Sequence, residues 1–343
     1  MPQPRESVTI HDVARASGVS VSTVSRVLND KDDVAEATYS RVQSVISELG
    51  YTSSLAAKSM RSRQTNVIGL IVPTLDDPFT VEVMKGVNRA IVQENYDLIV
   101  FTSGDFRSES SAQKESNYVS LLNHSITDGV IILVPSATNF ATNAPVVAVD
   151  PNNESPDCPA VIATNRDGAL AAMHYLIGLG HSRIGFVGGR SALQSSIRRL
   201  QGYVDGLQMA GIFVDPALIQ EGDFTRDVGY RCGHKLLSLA QPPTAIFAAN
   251  DQSAFGVIKA AQELGLKIPD DLSVVGFDNV PEAAYALPGG LTTVDQSLRE
   301  MGSIATEMLV RLIKGEALAD SIHRIPTQLI VRGSCRALQG SAQ

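Results

Sequence analysis

The stretch SVTIHDVARASGVSVSTVSRVLND, residues 7–30, holds two short apolar patterns of helical spacing on either side of Gly18. Their apolar positions are Ile10, Val13, Ala14, Val24, Val27 and Leu28. Thr9 followed by Asp12 is a capping pattern before the first helix, and Ser20 is a candidate N-cap for the second. A helix, a tight turn that contains glycine and a second helix with a polar outer face are typical of a helix-turn-helix motif.

A third helix is predicted from about Glu36 to Leu49, followed by Gly50 as a C-terminal cap. Its apolar stripe consists of Val42, Val45, Ile46 and Leu49. Three short helices with facing apolar stripes predict a small DNA-binding head. The alternative is a three-helix packing module whose polar face is only solvated.

The outer face of the second helix carries Val21, Ser22 and Arg26, because these offsets fall on one side of a helix. Arg26 can donate two hydrogen bonds to guanine, Ser22 can bond to several bases, and Val21 can contact a thymine methyl. Hydroxyl groups near helix N-termini suit phosphate, and they belong to Thr9, Ser20 and Thr23.

Charge is distributed unevenly along the chain. The 343 residues include 28 Lys+Arg and 36 Asp+Glu, a net charge of -8, which argues against general nucleic-acid binding. Residues 1–63 hold 8 basic and 7 acidic side chains, whereas the remainder holds 20 and 29. The acidity therefore belongs to the body, and local DNA binding by the head stays possible.

Other classes of protein are disfavoured by composition. No apolar run approaches the roughly 18 residues of a membrane helix, and the first residues lack the apolar core of a secretory signal. The three cysteines, Cys158, Cys232 and Cys335, have no metal or redox spacing. We therefore expect a cytoplasmic protein without membrane contact, metal or cofactor.

From residue 66 onward, apolar runs of strand length alternate with helical stretches. The runs are residues 67–73, 97–103, 129–135, 146–151, 160–165, 184–189, 245–250 and 273–279. Continuous apolar strands separated by helices predict parallel sheets covered on both faces. There are too many strands for one lobe, so the prediction is an α/β body of two doubly wound lobes that bind a ligand beyond the carboxyl ends of the strands.

Polar and aromatic side chains gather near those strand ends and on neighbouring segments. They are Asp77, Phe79, Asp150, Arg199, Phe224, Asn250 and Asp278. Charged groups can pair with vicinal hydroxyls while flat rings cover apolar C–H faces, so the set suits a polyhydroxylated ligand. Taken singly, Asp150 and Asp278 could instead be helix caps and Phe224 could be core.

The sequence from Thr9 to Asn29 resembles the head of the lactose/galactose repressor family of bacterial transcriptional regulators. The family pattern T-I-x-D-V-A, then G-V-S-x-x-T-V-S-R-V-L-N, is matched at every fixed position. The resemblance implies base reading by Val21, Ser22 and Arg26. It adds Ser25 and Asn29 to the phosphate contacts of Thr9, Ser20 and Thr23, and it implies a head of residues 1–51.

Residues 52–65 resemble the family's hinge, a short helix in the minor groove at the centre of the operator. Serine and methionine replace the frequent proline and leucine, at Ser53 and Met60. Met60 is a side chain that can wedge between base steps, and Lys58 belongs to a purely basic run that suits phosphate. So short a helix should form only against DNA and its partner copy; the alternative is a flexible basic tether.

The body resembles the family's effector domain, whose fold is shared with periplasmic sugar-binding proteins. The matching motifs are DPF at 77–79, RLxGY at 199–203, GDF at 222–224, ANDQ at 249–252 and VVGFDN at 274–279. On this resemblance residues 66–340 bind the effector and dimerise. The N-lobe would comprise about 66–162 and 294–323, and the C-lobe about 163–293 and 324–340, with crossings near Ala163, Thr293 and His323.

These observations predict a homodimeric repressor that binds a pseudo-palindromic, double-stranded operator. The repressor should respond to a small effector, and the predicted effector is a sugar. A nucleoside remains the alternative effector, although Leu193 stands where purine-binding relatives place a second arginine. Release of DNA on effector binding is expected, while a corepressor would use the same architecture. An enzyme is disfavoured because hydrolase, kinase and metalloprotease motifs are absent from the sequence. A free-standing sugar-binding protein is the rival from another class.

Overall fold

The computed structural model describes residues 8–28, 31, 33–51, 64–104, 111–122, 126–153 and 156–338. The chain divides into two compact units, Met1–Thr65 and Asn66–Gln343, which we call the head and the body. Most of the predicted hinge, including Lys58 and Met60, lies outside the described residues, as does Asn29.

The head contains three helices among its described residues, α1 (Ile10–Ser17), α2 (Val21–Leu28) and α3 (Glu36–Leu49). Their apolar stripes meet in a core of five buried side chains, Val13, Ala14, Val24, Val27 and Val42. Val45 and Ile46 pack against this core as predicted. The prediction that Leu49 belongs to the stripe is wrong, because its side chain lies at the last turn of α3 and is 38% exposed.

The first lobe of the body is built on a sheet of six described strands. They are β1 (Val67–Val72), β2 (Asp97–Thr102), β3 (Gly129–Leu133), β4 (Val146–Val149), β5 (Ala160–Ala163) and β11 (Ile322–Ile325). The strand order is β11-β5-β4-β3-β1-β2, and every pair is parallel. β1, β3 and β4 are buried at every position, whereas the edge strand β2 is only partly covered.

The second lobe repeats this order with a second sheet. Its strands are β6 (Ile184–Val187), β7 (Ile219–Gln220), β8 (Ala245–Ala248), β9 (Ser273–Asp278), β10 (Thr292–Asp295) and β12 (Gln328–Ile330). The order is β12-β10-β9-β8-β6-β7. All pairs are parallel except β10 with β12, and neither of these two strands belongs to the apolar runs for which parallel sheets were predicted.

Helices cover both sheets. They are α4 (Pro78–Gln93), α5 (Ser111–Leu122), α6 (Asn165–Gly178), α7 (Gln194–Met209), α8 (Arg226–Leu237), α9 (Asp251–Glu263) and α10 (Leu298–Ile313), with short 3-10 helices at Pro216–Leu218 and Pro281–Ala284. Glycines allow the closest helix contacts: a Cβ at Gly86 of α4 would lie 1.9 Å from the carbonyl oxygen of Arg299 of α10. None of the described helices is long and apolar enough to cross a membrane.

The chain passes between the lobes three times, after β5, after β10 and after β11, because consecutive strands there belong to different sheets. Two of these crossings are bonded to each other. The backbone N–H of Thr327 donates to the hydroxyl of Thr164 at 3.0 Å, and the hydroxyl of Thr327 donates to the carbonyl of Thr164 at 3.1 Å.

Candidate functional site

The first candidate site is the polar surface of the head, beginning at the N-terminus of α1. The backbone N–H and the hydroxyl of Thr9 both donate to the carboxylate of Asp12, at 3.0 and 2.6 Å. These bonds close the predicted capping box and hold Thr9 exposed at the helix start. Gly18 ends the helix in the left-handed region, with φ of 66°.

The N-terminus of α2 is organised by hydroxyl groups. The hydroxyl of Ser20 accepts from the backbone N–H of Thr23 at 3.2 Å, which is the predicted cap. The same oxygen lies 2.6 Å from the Ser22 hydroxyl and 2.9 Å from that of Thr23. The result is a cluster of hydroxyls at the positive end of a helix, where phosphate oxygens are favoured.

The outer face of α2 has the predicted character. Ser22 and Arg26 are exposed, while Val24 and Val27 are buried behind them. Val21 is half-buried and packs against the head core, so only part of its side chain is available to a base. Arg26 forms an ion pair with Asp33 at 3.2 Å, and both side chains are 60% exposed. This face presents one long cation and small polar groups, as major-groove reading requires.

The second candidate site is a cavity of about 400 Å³ at the carboxyl ends of the strands of both lobes. All seven residues predicted for the effector line it: Asp77, Phe79, Asp150, Arg199, Phe224, Asn250 and Asp278. The first three come from the N-lobe and the other four from the C-lobe. The size falls within the usual range for small-molecule sites.

Arg199 lies at the bottom of the cavity and is 3% exposed. Its Nε donates to Asn165 at 2.8 Å, its Nη1 donates to the carbonyl of Ala249 at 2.6 Å and to Asp278 at 3.3 Å, and its Nη2 reaches Gln296 at 3.4 Å. The guanidinium also lies 3.8 Å from the ring centroid of Phe277. Of five N–H donors, four point at protein acceptors, so Arg199 offers a ligand little more than one hydrogen bond.

The carboxylates of the cavity are held in a low-dielectric environment. Burial raises the pKa of Asp278 to about 7, although the charge of Arg199 opposes the shift. Burial also raises the pKa of Asp150, against the charge of Arg199 and a hydrogen bond from the Ser195 side chain. The pKa of Asp77 is raised by burial too, against hydrogen bonds from Thr80. Raised pKa values in a cleft are typical of functional sites.

Two of the predicted residues also cap helices. Asp77 accepts from the backbone N–H of Thr80 at 3.0 Å at the start of α4. Asn250 accepts from Ser253 at 2.9 Å at the start of α9, and its amide donates to the carbonyl of Phe224 at 3.0 Å. Capping fixes these side chains at the cavity wall. Helix capping was the alternative for Asp150 and Asp278, whereas the structure shows it for Asp77 and Asn250. These two residues cap helices and also line the cavity.

Aromatic rings line the cavity from both lobes. Phe79 belongs to the first turn of α4, and Phe224 precedes α8. The ring of Phe224 lies directly on Gly189, where an added Cβ would come within 2.0 Å of the ring. The glycine-rich turn after β6 therefore accommodates the ring, because Gly189 has no side chain that would displace it.

Backbone strain is concentrated at this cavity. Four lining residues other than glycine have positive φ: Val134 (45°), Asp150 (49°), Phe224 (70°) and Asp278 (108°). Such conformations cost energy and cluster at ligand sites, where the surrounding structure maintains them. They aim the two carboxylates and the ring at positions that relaxed strands would not provide.

Several residues of the site were not found by sequence reasoning. Three further residues line the cavity: Ser195, Arg190 and Gln252. Two others, Asn165 and Gln296, accept hydrogen bonds from Arg199 and so fix its position. Asp251 belongs to the motif ANDQ with Asn250, but it is fully buried and bonds to the Val280 N–H and the Thr293 hydroxyl. Arg190 directly follows the apolar run of residues 184–189, which is the one signal for it in the sequence, and the fold brings it to the cavity.

Known families match both units. Residues 9–54 match the model of bacterial regulatory proteins of the lacI family, and residues 173–335 match a periplasmic binding protein-like domain. The helix-turn-helix head and residues 173–335 of the body therefore correspond to separate, recognised modules.

Individual relatives cover nearly the whole chain. The HTH-type transcriptional repressor CytR of Escherichia coli strain K12 is 34% identical over 97% of both chains. The lac repressor dimer, solved bound to operator and the anti-inducer ONPF, superposes with a TM-score of 0.84 at 28% identity, covering 97% of this chain and 100% of that one. The transcriptional regulator CelR in complex with cellobiose has a TM-score of 0.70 at 30% identity, covering 95% and 99%. This chain accordingly belongs to the lacI family of bacterial regulatory proteins and is a DNA-binding transcriptional regulator.

Proposed function

We propose that this chain is a cytoplasmic repressor that binds a pseudo-palindromic operator as a homodimer and releases it when a small carbohydrate binds between the lobes. The observation that carries the proposal is the cavity, where seven residues chosen from the sequence converge from both lobes. The lac repressor was solved as a dimer on its operator, and CelR was solved with cellobiose, which supports both halves of the proposal.

The head supplies the sequence reading. Val21, Ser22 and Arg26 contact base edges, while Thr9, Ser20, Thr23, Ser25 and Asn29 contact phosphates. One head reaches too few bases for high specificity, so two heads related by a two-fold axis read two half-sites. Residues 52–65 form the hinge, in which Lys58 neutralises phosphate and Met60 wedges into the minor groove.

The body supplies the control, and it acts by binding rather than by catalysis. Residues 66–340 hold the effector between the lobes and form the dimer. Carboxylate oxygens of Asp77, Asp150 and Asp278 accept hydrogen bonds from ligand hydroxyls, and the rings of Phe79 and Phe224 cover the apolar faces of the sugar. Closure of the lobes changes the geometry at the hinge and lowers operator affinity.

A thermal-shift screen of the purified chain tests the effector class. Mono- and disaccharides are compared with nucleosides, and a hit is repeated with Asn250→Ala to place it in the cavity. We expect stabilisation by at least one carbohydrate that Asn250→Ala abolishes. Stabilisation by nucleosides alone would overturn the carbohydrate assignment.

Sedimentation combined with footprinting on selected DNA tests the dimer and the operator. We expect a dimer at micromolar concentration and protection of two half-sites about one helical turn apart or a multiple of it. A monomer that protects one half-site with full affinity contradicts the proposal.

A further inference from the structure

The charged groups that line the cavity are mostly acidic. Among the described lining residues, the acidic ones are Asp76, Asp77, Asp150, Asp223 and Asp278, and the basic ones are Arg190, Arg199 and Arg226. A site for a phosphorylated ligand normally shows the opposite balance, because phosphate needs cations or unbonded backbone N–H groups.

Two of the three arginines form ion pairs with carboxylates of the protein itself. Arg199 pairs with Asp278 at 3.3 Å, and both side chains are almost completely buried. Arg226 pairs with Glu282 at 2.7 Å and also donates to Gln252. Burial raises the pKa of the Asp77 carboxyl, and the nearby charge of Arg190 opposes part of that rise.

The helix N-termini at the cavity are also occupied by oxygen atoms of the protein. Asp77 caps α4, Asn250 caps α9, and Thr225 caps α8 by accepting from Val228 at 3.3 Å. At the start of α7, Asn152 accepts from the Gln194 N–H at 2.9 Å.

Asp150 adds a carboxyl group at that same end of α7, where the side chain of Ser195 bonds to it. The positive ends of these four helices, which serve as phosphate sites in other folds, therefore already face acceptors of the chain.

We infer that the effector carries no phosphate or carboxylate group and is an uncharged, hydroxyl-rich molecule that donates hydrogen bonds to the aspartates of the cavity. The inference rests on the proposed function, since it names the class of ligand for the same site. It separates free sugars from sugar phosphates, and free nucleosides from nucleotides.

The experiment uses the full chain and matched pairs of compounds. Each pair consists of a neutral molecule and its phosphate: glucose and glucose 6-phosphate, ribose and ribose 5-phosphate, cellobiose and its 6-phosphate, cytidine and cytidine monophosphate. Inorganic phosphate alone is included. Thermal shift finds the pairs that bind, and calorimetry measures the two affinities at neutral pH.

We expect the neutral member of a binding pair to bind at least about tenfold more tightly than its phosphate, because like charges oppose the phosphate. Asp76→Asn should narrow that ratio, since it removes one negative charge from the cavity wall. Asp320→Asn makes the same change at an exposed position outside the cavity lining and should leave the ratio unaltered.

The possible failures are distinct. A phosphorylated member that binds as tightly as its parent, or tighter, overturns the inference and leaves the repressor function standing. A tenfold ratio that Asp76→Asn does not narrow overturns its electrostatic basis. Absence of binding by every pair removes the proposed carbohydrate effector, and the inference falls with it.

Discussion

Arg26 and Arg199 show how exposure decides what an arginine can do. Arg26 is 60% exposed and its ion pair with Asp33 is open to solvent, and such pairs contribute only about 0–1 kcal/mol. Arg26 can therefore exchange Asp33 for a guanine at little cost. Arg199 is 3% exposed and bonded on several sides, so it orders the cavity floor and keeps Asp278 in place.

Replacing Arg26 with alanine tests the base-reading role. We expect Arg26→Ala to weaken binding to the selected operator by about 1–3 kcal/mol and to relax base preference, because a bidentate contact to guanine is lost. Lys58→Ala should instead weaken all sequences alike and flatten the salt dependence. Titrations on specific and random DNA measure both. Equal weakening of the two DNAs by Arg26→Ala would contradict the assignment.

The titration of Asp278 should make the unfolding free energy of the body depend on pH. Its pKa in the folded protein is raised to about 7 from an ordinary value of 3.8, mainly by burial. The folded state therefore retains a proton that the unfolded chain has already released. The contribution of the Asp278 proton to the free energy of unfolding is complete below about pH 4. It falls as the pH rises from there and is lost as the pH passes through 7.

Asp278→Asn removes that titration. Between pH 5 and 7 the wild type should lose about 2 kcal/mol of unfolding free energy that the variant keeps, at about 1.4 kcal/mol per pH unit. Above about pH 7, where Asp278 is ionised, the variant also lacks the anion that pairs with Arg199, so the slopes between pH 5 and 7 are compared rather than the absolute stabilities. Denaturant unfolding at several pH values gives them, with Asp320→Asn as the exposed control. Parallel curves for wild type and Asp278→Asn would contradict the raised pKa.

At the residue scale, the sequence was most informative where a strand end carried a chemically distinctive group. Asp150 and Asp278 follow continuous apolar runs, and the parallel topology brings such ends together. Asn165 and Gln296 were missed because they act on Arg199 rather than on the cavity, through contacts across 34 and 97 residues of chain. No local pattern encodes a partner at that separation.

At the element scale, the turn after β6 requires a glycine because the Phe224 ring packs against it. Gly189 has no room for a Cβ, which would meet the Phe224 ring at 2.0 Å. The ring in turn belongs to a residue with a φ of 70°, which holds it over the turn. A methyl group at this position should lift the ring into the cavity.

Gly189→Ala is therefore expected to weaken binding of the effector at least about tenfold, because a displaced ring narrows the space left for the ligand. The matched control is Gly178→Ala at the exposed end of α6, where an added Cβ has nothing within 4 Å. That change should keep effector affinity and leave stability equal or slightly higher. Calorimetry and thermal unfolding on both variants check this. Unchanged affinity in Gly189→Ala would show that the ring does not contact the ligand.

Strands that lie within long apolar runs were predictable, and strands outside such runs were not. The eight apolar runs identified from the sequence all contain strands of the two sheets, because continuous burial on both faces demands continuous apolar sequence. β7, β11 and β12 span only two to four residues, and β11 reads IHRI with two exposed polar positions. Outside an apolar run, strands this short have no periodicity to detect, and β11 and β12 each pair only after the chain has crossed between the lobes.

At the scale of the whole molecule, the second crossing, after β10, connects the effector cavity to both lobes. Gln296 lies in it, between β10 of the second sheet and α10, which packs on the first lobe. It is completely buried, and its Nε2 donates to Asp278 at 2.6 Å. The next residue, Ser297, has a φ of 54°, so the crossing is strained beside this contact. We expect a ligand hydroxyl that bonds to Asp278 to compete with Gln296 for this carboxyl and so to alter the crossing.

The last prediction follows from that contact. Gln296→Met keeps the volume but removes the hydrogen bond, so we expect it to bind effector while losing most of the effector's influence on DNA. Allosteric coupling is typically about 1–3 kcal/mol, and in this variant the ratio of operator affinities with and without saturating effector should approach one. Thr327→Val is the matched control. It removes the hydrogen bond from the Thr327 hydroxyl to the Thr164 carbonyl, which joins the other two crossings, and should lower stability while preserving the ratio. If both variants lose coupling equally, the crossings act as one hinge and the path through Asp278 is wrong. If Gln296→Met retains the wild-type ratio, the coupling does not depend on this hydrogen bond, and the cavity controls operator affinity by another route.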